Sequence, residues 1–132
     1  MHSDDLIISK ADGRPMYLQI MEQIKQRVAV GDWEEGQPIP SIRQLAVDLQ
    51  ISVITVKRAY LELEREGVII AQQGKGCRVA PTPGLGLRLQ QRELQKHLDE
   101  AIRLSALLGI QPEELEGRLR KASGSVAGKE KK

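Results

Sequence analysis

The chain has 132 residues, of which 20 are Lys or Arg and 18 are Asp or Glu, so its formal net charge is only +2. This length allows one domain, or a small domain with an appendage, and excludes a TIM barrel or a two-domain Rossmann enzyme. One Trp, two Tyr and no Phe leave the core to aliphatic side chains, which favours helices over strands.

The composition also indicates the cellular compartment and whether a metal site is to be expected. A single cysteine, Cys77, permits no intramolecular disulfide and is typical of a reducing compartment. Two histidines and one cysteine form no CxxC or HExxH motif, so no zinc site and no cofactor are expected. The apolar runs are far shorter than the roughly 20 residues of a membrane span, and the N-terminus lacks a signal-peptide layout. We therefore expect a soluble cytoplasmic protein with no membrane partner.

The first helix is predicted from Pro15, whose missing N–H costs nothing in a first turn, to Gly31. Apolar residues between them recur at three- and four-residue spacing. This stripe consists of Tyr17, Ile20, Ile24 and Val28. The preceding residues, 1–14, are acidic and lack such a period, so they are predicted to be a flexible segment in which 6–8 are a candidate strand.

Two short helices and a hairpin follow. Ser41 begins the second helix in the capping-box pattern, with Gln44 three positions later, and Ser52 begins the third helix, which Gly67 ends. Strand-like residues then flank a Gly-Lys-Gly tip centred on Lys75. The order of elements predicts a fold that is mainly α with a small β-hairpin, namely a winged helix-turn-helix domain over residues 15–80.

The third helix has its basic side chains at one end and its acidic side chains at the other. Lys57 and Arg58 lie near its N-terminal end, whereas Glu62, Glu64 and Glu66 lie toward its C-terminal end. A local positive field of this kind allows a nearly neutral protein to bind a polyanion. We therefore predict that residues 53–66 are a recognition helix, and residues 72–77 a wing, on double-stranded DNA.

The C-terminal part is predicted to be a helical hairpin. A linker at 81–86 precedes a helical region at 87–122, in which apolar residues recur every seven positions until Gly109, and Pro112 opens a second helix. Such an amphipathic helix after a linker requires a partner face, so we expect a homodimer, although packing on the winged domain is the alternative. The predicted dimerisation residues are Leu87, Leu94, Leu98, Ala101, Ile102, Leu108, Leu115 and Leu119. Residues 123–132 are predicted to be a disordered basic tail.

Four segments, in order and without gaps over residues 15–80, resemble the GntR family of bacterial transcription regulators. The short helical C-terminal region in place of a large effector domain is similar to the YtrA-like subfamily, whose two C-terminal helices mainly dimerise the protein. The matching segments read Pro15-x-Tyr17-x-Gln19-Ile20, Gly36-x-x-Ile39-Pro40-Ser41-x-Arg43-x-Leu45-Ala46, Thr55-Val56-x-Arg58-Ala59-Tyr60-x-Glu62-Leu63-Glu64-x-Glu66-Gly67 and Gln73-Gly74-Lys75-Gly76.

The resemblance implies DNA contacts from the starts of both short helices and from the wing. Arg43 would contact phosphate or base, Ser52 and Thr55 would contact the backbone, and Lys57 stands where the family often has a DNA-contacting Arg. Together with the exposed residues of the recognition helix, the predicted DNA-binding set is Ser41, Arg43, Ser52, Val53, Ile54, Thr55, Lys57, Arg58, Gln73, Gly74, Lys75 and Gly76.

The chain departs from the family pattern at the start of the recognition helix. Val53 stands where many members have a polar or basic base-reading residue, and Ile54 is also apolar, so no operator preference can be carried over. Gln50 stands where the turn usually has Gly, and a positive φ there would strain a residue that has a side chain.

Several alternatives remain open from the sequence. A winged helix used for protein contacts, without specific DNA binding, is the alternative to a dimeric repressor on an inverted-repeat operator. An enzyme is nearly excluded, because no nucleophile–base set, phosphate loop or metal cluster occurs. His97 beside acidic residues is a solvated side chain or a metal ligand, and Cys77 is a packed thiol or a redox sensor. An unidentified small-molecule effector has no recognisable site.

Overall fold

The structure, a computed structural model, describes residues 6–9, 11 and 13–130, without the side chains of 126–130. In this part of the chain five helices accompany one antiparallel pair of strands. The elements are α1 (Met16–Ala29), α2 (Ile42–Leu49), α3 (Val53–Arg65), β1 (Ile69–Gln72), β2 (Gly76–Val79), α4 (Leu85–Leu107) and α5 (Pro112–Glu130). This arrangement confirms the predicted fold class. The chain divides into two compact units, with the boundary in the sequence between Gln91 and Arg92.

The core of the first unit is mainly aliphatic, as the composition predicts, although Trp33, 1% exposed, is its largest fully buried side chain. Three members of the predicted α1 stripe are buried, whereas Tyr17 at its start is only partly buried. α3 packs against α1, α2 and β1. The buried residues that α3 contributes are Val56, Ala59, Tyr60 and Leu63. α3 is therefore the central helix, and its opposite face is left exposed.

Local side-chain and glycine signals define the ends of α2 and α3. The Oγ of Ser41 accepts the N–H of Gln44 at 3.0 Å, but the Gln44 side chain donates to Asp48, so half of the expected capping box forms. Gly67 (φ 78°) follows α3, and the N–H of Val68 donates to a carbonyl in the last turn at 2.9 Å. This is the bond of a Schellman motif, which explains why α3 stops there.

The turn between α2 and α3 requires a left-handed residue. Gln50 occupies it at φ 56° and ψ 48° and is the only residue other than glycine with a positive φ among those described. The predicted departure from the family is therefore also a point of backbone strain, because a Cβ disfavours this region.

The wing is a hairpin whose base is joined to the loop before α2. β1 and β2 pair from Ile69 with Val79 to Gln72 with Gly76. The N–H of Ile39 donates to the carbonyl of Cys77 at 3.0 Å, and Pro38 forms a bridge with Arg78. The loop thus acts as a short third strand that holds the hairpin in place.

The N-terminal segment is more ordered than the sequence predicts. Leu6 is 3% exposed and belongs to the core, and the buried amide of Gln19 accepts the N–H and donates to the carbonyl of Ser9, each at 3.0 Å. No strand forms over 6–9. The acidic residues Asp4, Asp5 and Asp12 of the predicted flexible segment lie outside the described residues.

Two boundaries of the C-terminal region also differ from expectation. α4 begins at Leu85, inside the predicted linker, because this leucine and Leu89 are buried in the first unit. α5 continues to Glu130, through most of the segment predicted to be disordered; no proline interrupts it, although it contains two glycines. Gly109 (φ 71°) ends α4 as predicted. Over the described residues, no helix combines the length and apolar character needed to cross a membrane.

Candidate DNA-binding interface

The first turn of α3 is fixed by a side-chain cap from Ser52. The Oγ of Ser52 accepts the N–H of Thr55 at 3.1 Å and shares a 2.9 Å hydrogen bond with its hydroxyl. No acidic residue occurs in this turn. The positive end of the helix dipole is therefore not neutralised locally, which favours a nearby anion such as a DNA phosphate.

Three exposed cations lie on the three elements that the prediction assigns to DNA. Arg43 is in the first turn of α2, Lys57 in the second turn of α3 and Lys75 at the tip of the wing. Within the described part of the chain, none of the three forms an ion pair. Cations without acidic partners retain their full charge for an external polyanion.

The cations at the other end of α3 are neutralised instead. Arg65 pairs with Glu62 at 2.9 Å, and Lys25 of α1 pairs with Glu66. The predicted separation of charge along α3 is thus present in the structure, with paired charges at the C-terminal end and exposed cations near the N-terminal end. The exposed cations without acidic partners thus lie near the end of α3 that meets DNA in a helix-turn-helix protein.

Arg58 is held by an aromatic ring. Its guanidinium carbon lies 3.8 Å from the centroid of the Tyr17 ring on α1, within the range of a cation–π interaction. Arg58 remains exposed, so its donors can still reach a partner in solvent. Tyr17 was predicted only as a member of the apolar stripe of α1, and its contact with Arg58 was not predicted.

The wing tip is exposed, as a groove or phosphate contact requires, and contains two glycines. All four residues from Gln73 to Gly76 are exposed. The N–H of Lys75 donates to the carbonyl of Gln72 at 2.9 Å, and the glycines on either side have φ of 78° and 72°. A positive φ at both positions favours glycine, and the exposed lysine lies between the two glycines.

A buried tyrosine fixes α3 relative to the start of α2. The hydroxyl of Tyr60 donates to the carbonyl of Pro40 at 2.7 Å, and burial raises the pKa of this phenol. Because Pro40 directly precedes the N-cap of α2, this bond ties the start of α2 to the middle of α3. Arg78 has a similar role at the base of the wing, where its guanidinium donates to the carbonyl of Gly36 at 3.0 Å. Neither positioning role was predicted.

The structure places the predicted DNA-binding residues at the starts of α2 and α3 and at the wing tip. All are exposed except Thr55, which is half-buried by its part in the cap. Ser41 and Ser52 use their hydroxyl oxygens as caps, so they have structural roles whether or not they touch DNA.

The predicted dimerisation residues are mostly exposed in a single chain. Ala101 and Leu115 are half-buried, and the second unit also exposes two large apolar side chains that were not predicted, Leu104 and Leu107. The exposed members of the predicted set are Leu87, Leu94, Leu98, Ile102, Leu108 and Leu119.

Two residues whose roles were open have ordinary surroundings. His97 is exposed, and its Nε2 lies 3.0 Å from Oε1 of Glu93, one helical turn away. Among the described residues, no group of side chains could together hold a metal ion. Cys77 is partly buried, and burial, together with the nearby Glu64, raises the pKa of its thiol. A raised pKa lowers the fraction of reactive thiolate.

Comparisons with known proteins agree with this architecture. Residues 16–79 match the family of bacterial regulatory proteins named gntR. The transcriptional repressor YtrA of Bacillus subtilis is 30% identical over 94% of this chain and 96% of its own. A GntR-family transcriptional regulator from Listeria monocytogenes superposes with a TM-score of 0.72 at 28% identity, over 83% of this chain and 96% of that one.

A third comparison concerns the C-terminal region as well. YtrA from Sulfolobus acidocaldarius, a GntR-family transcription factor, is 30% identical with a TM-score of 0.59, over 74% of this chain and 97% of its own. The similarity to both YtrA proteins extends well beyond the family match at 16–79. The chain therefore belongs to the GntR family, resembles its YtrA members, and is a DNA-binding transcriptional regulator rather than an enzyme.

Proposed function

We propose that the protein is a homodimeric repressor that binds an inverted-repeat operator through α3, over about residues 53–66, and through the wing, over about 72–77. The observation that carries this proposal is the set of exposed cations, Arg43, Lys57 and Lys75, on three elements around the start of α3. These residues would contact phosphates, while the first turn of α3 would reach base edges in the major groove.

The C-terminal helices supply the argument for a dimer. Most of the apolar side chains predicted for dimerisation on α4 and α5 are exposed to water in a single chain, and a second copy would cover them. A two-fold symmetric dimer binds two half-sites, about 34 Å apart when these are one helical turn apart. Repression is supported by the name of the Bacillus subtilis relative, a transcriptional repressor. Occupying an operator would then block polymerase.

The alternative is a winged helix that binds only proteins. That alternative predicts no salt-dependent affinity for DNA, and the cations without acidic partners argue against it. The proposal includes control of the repressor by a small-molecule effector, to which no binding site is assigned. A cytoplasmic location follows from the proposed role, because the operator is chromosomal.

Footprinting on the promoter of the protein's own gene tests the proposal, followed by titration of the bound duplex at several salt concentrations. A protected inverted repeat is the expected result. Lys57→Ala should lower affinity and reduce the slope of log Kd against log salt concentration by about one. Lys121→Ala, which removes an exposed lysine of α5, is the matched control and should leave the slope unchanged.

Three outcomes contradict parts of the proposal. Binding that does not depend on salt contradicts a DNA interface, and an unchanged slope in the Lys57 variant removes Lys57 from it. A reporter gene behind the protected sequence whose expression rises with the protein contradicts repression.

A further inference from the structure

Two exposed apolar side chains lie in the first turn of α3, between the cations of the proposed interface. Ile54 is 80% exposed, the highest value among the large hydrophobic side chains of the described residues, and Val53 is 47% exposed. Single exposed hydrophobic residues on a protein surface need no explanation. Two adjacent ones at the point where a recognition helix meets base edges do require one.

These side chains are held in place by the local structure. The Ser52 cap fixes the backbone of the turn through the N–H of Thr55. Valine and isoleucine are β-branched, so each has few rotamers in a helix. Their methyl groups therefore occupy defined positions relative to α3, as a specific contact demands.

The chemistry of the major groove restricts what such side chains can contact. The edges of guanine, cytosine and adenine present hydrogen-bond donors and acceptors there, whereas thymine adds a C5-methyl group. An apolar side chain against a donor or acceptor removes its water without replacing the hydrogen bond, which is unfavourable. Against a thymine methyl, the same side chain buries apolar surface from both partners.

We propose that Val53 and Ile54 read thymine methyl groups in the major groove, so that each operator half-site carries one or two thymines facing the first turn of α3. This proposal rests on the proposed function, because it assumes that α3 enters the groove. Specificity then comes from apolar contacts, while the surrounding cations supply affinity through phosphates that carry no sequence information directly.

The test removes only the methyl groups from the DNA. The full-length protein selects duplexes from a randomised library, and the preferred duplex is then synthesised with deoxyuridine in place of each thymidine in turn. At one or two positions in each half-site, wild type should lose affinity about fourfold, the effect of burying one methyl group. At the remaining thymines the exchange should have no effect.

Protein variants assign the effect to residues. In Ile54→Ala and Val53→Ala, the ratio of the Kd for the uracil duplex to the Kd for the thymine duplex should fall toward one at the affected positions. Leu61→Ala is the matched control, since Leu61 is a half-exposed apolar residue of the same helix, beside the acidic end. This control should retain the full discrimination, and circular dichroism checks that every variant is folded.

The outcomes separate this proposal from the one on which it rests. Recovery of no preferred sequence by wild type contradicts sequence-specific DNA binding itself. A preferred duplex that binds equally well with uracil at every position contradicts thymine reading and leaves DNA binding intact. A uracil effect that persists in both alanine variants also overturns the proposal, since the methyl group is then read elsewhere.

Discussion

Tyr17 connects α1 to the part of α3 that faces the proposed DNA site, through the guanidinium of Arg58 that lies over its ring. A side chain as long as Arg has many rotamers in solution, and fixing it on binding DNA has an entropic cost. The ring reduces this cost by restricting Arg58 before DNA arrives. We therefore predict that Tyr17 is a positioning residue that acts on the proposed DNA site through Arg58.

Replacing Tyr17 with Leu should weaken operator binding about threefold, because the cation–π contact contributes about 0.5–1 kcal/mol at an exposed site. Fluorescence titration of a labelled duplex measures the change. Tyr17→Phe keeps the ring and should bind like wild type. In the background of Arg58→Ala, Tyr17→Leu should have no additional effect on Kd, and an additional threefold loss there contradicts a role through Arg58.

At the scale of elements, the boundaries set by local chemistry could be predicted and those set by distant contacts could not. Ser52 and Gly67 mark the ends of α3 because a cap and a Schellman motif involve residues only a few positions apart. The defined conformation of residues 6–9 and the early start of α4 depend instead on contacts with α1 and the core. The local sequence alone does not predict such contacts between residues that are far apart in the chain.

The start of α4 illustrates such a distant contact. A Cβ on Gly86 would lie 3.1 Å from the carbonyl oxygen of Val28 and 3.3 Å from that of Ala29, both at the end of α1. The side-chain amide of Gln90, one turn later, donates to the carbonyl of Ala29. Glycine thus allows two backbones to approach closely, and the glutamine satisfies a carbonyl that the end of α1 leaves unpaired.

Gly86→Ala should lower the free energy of unfolding by about 1 kcal/mol, because the clash with backbone atoms outweighs the gain in helix propensity. Gly117→Ala in α5 is the matched control. It has no neighbour within 4 Å of the added Cβ, so it should gain roughly 0.5–1 kcal/mol. Urea unfolding at one protein concentration measures both. Equal stabilisation by the two substitutions would show that α1 and α4 separate without cost.

For the molecule as a whole, net charge is a poor guide to its partner. The value of +2 conceals an uneven distribution, in which ion pairs neutralise Lys25 and Arg65 but leave Arg43, Lys57 and Lys75 without an acidic partner among the described residues. Sequence spacing was sufficient to predict which cations lie near the start of α3. It was not sufficient to predict which of the other cations would be paired, because ion pairs such as Lys25 with Glu66 join different elements.

The proposed dimer can be tested by charged substitutions in α4. Leu94 and Leu98 are one turn apart on α4 and are 61% and 37% exposed, so charges there cost a single chain little but would be buried at an interface between two copies. Leu94→Arg combined with Leu98→Arg should sediment as a monomer where wild type sediments as a dimer. Affinity for an inverted repeat should fall about 100-fold or more, since linkage of two binding modules is lost.

Affinity for an isolated half-site distinguishes loss of the dimer from unfolding. The first unit contains the whole proposed DNA interface, so the double variant should bind a half-site as tightly as wild type does, whereas an unfolded protein would not bind it. Lys96→Glu, which reverses an exposed charge on α4 between the two leucines, is the control and should remain dimeric. If the double variant still sediments as a dimer, α4 is not the interface. If it becomes monomeric yet binds the inverted repeat as tightly as wild type, dimerisation contributes nothing to operator recognition.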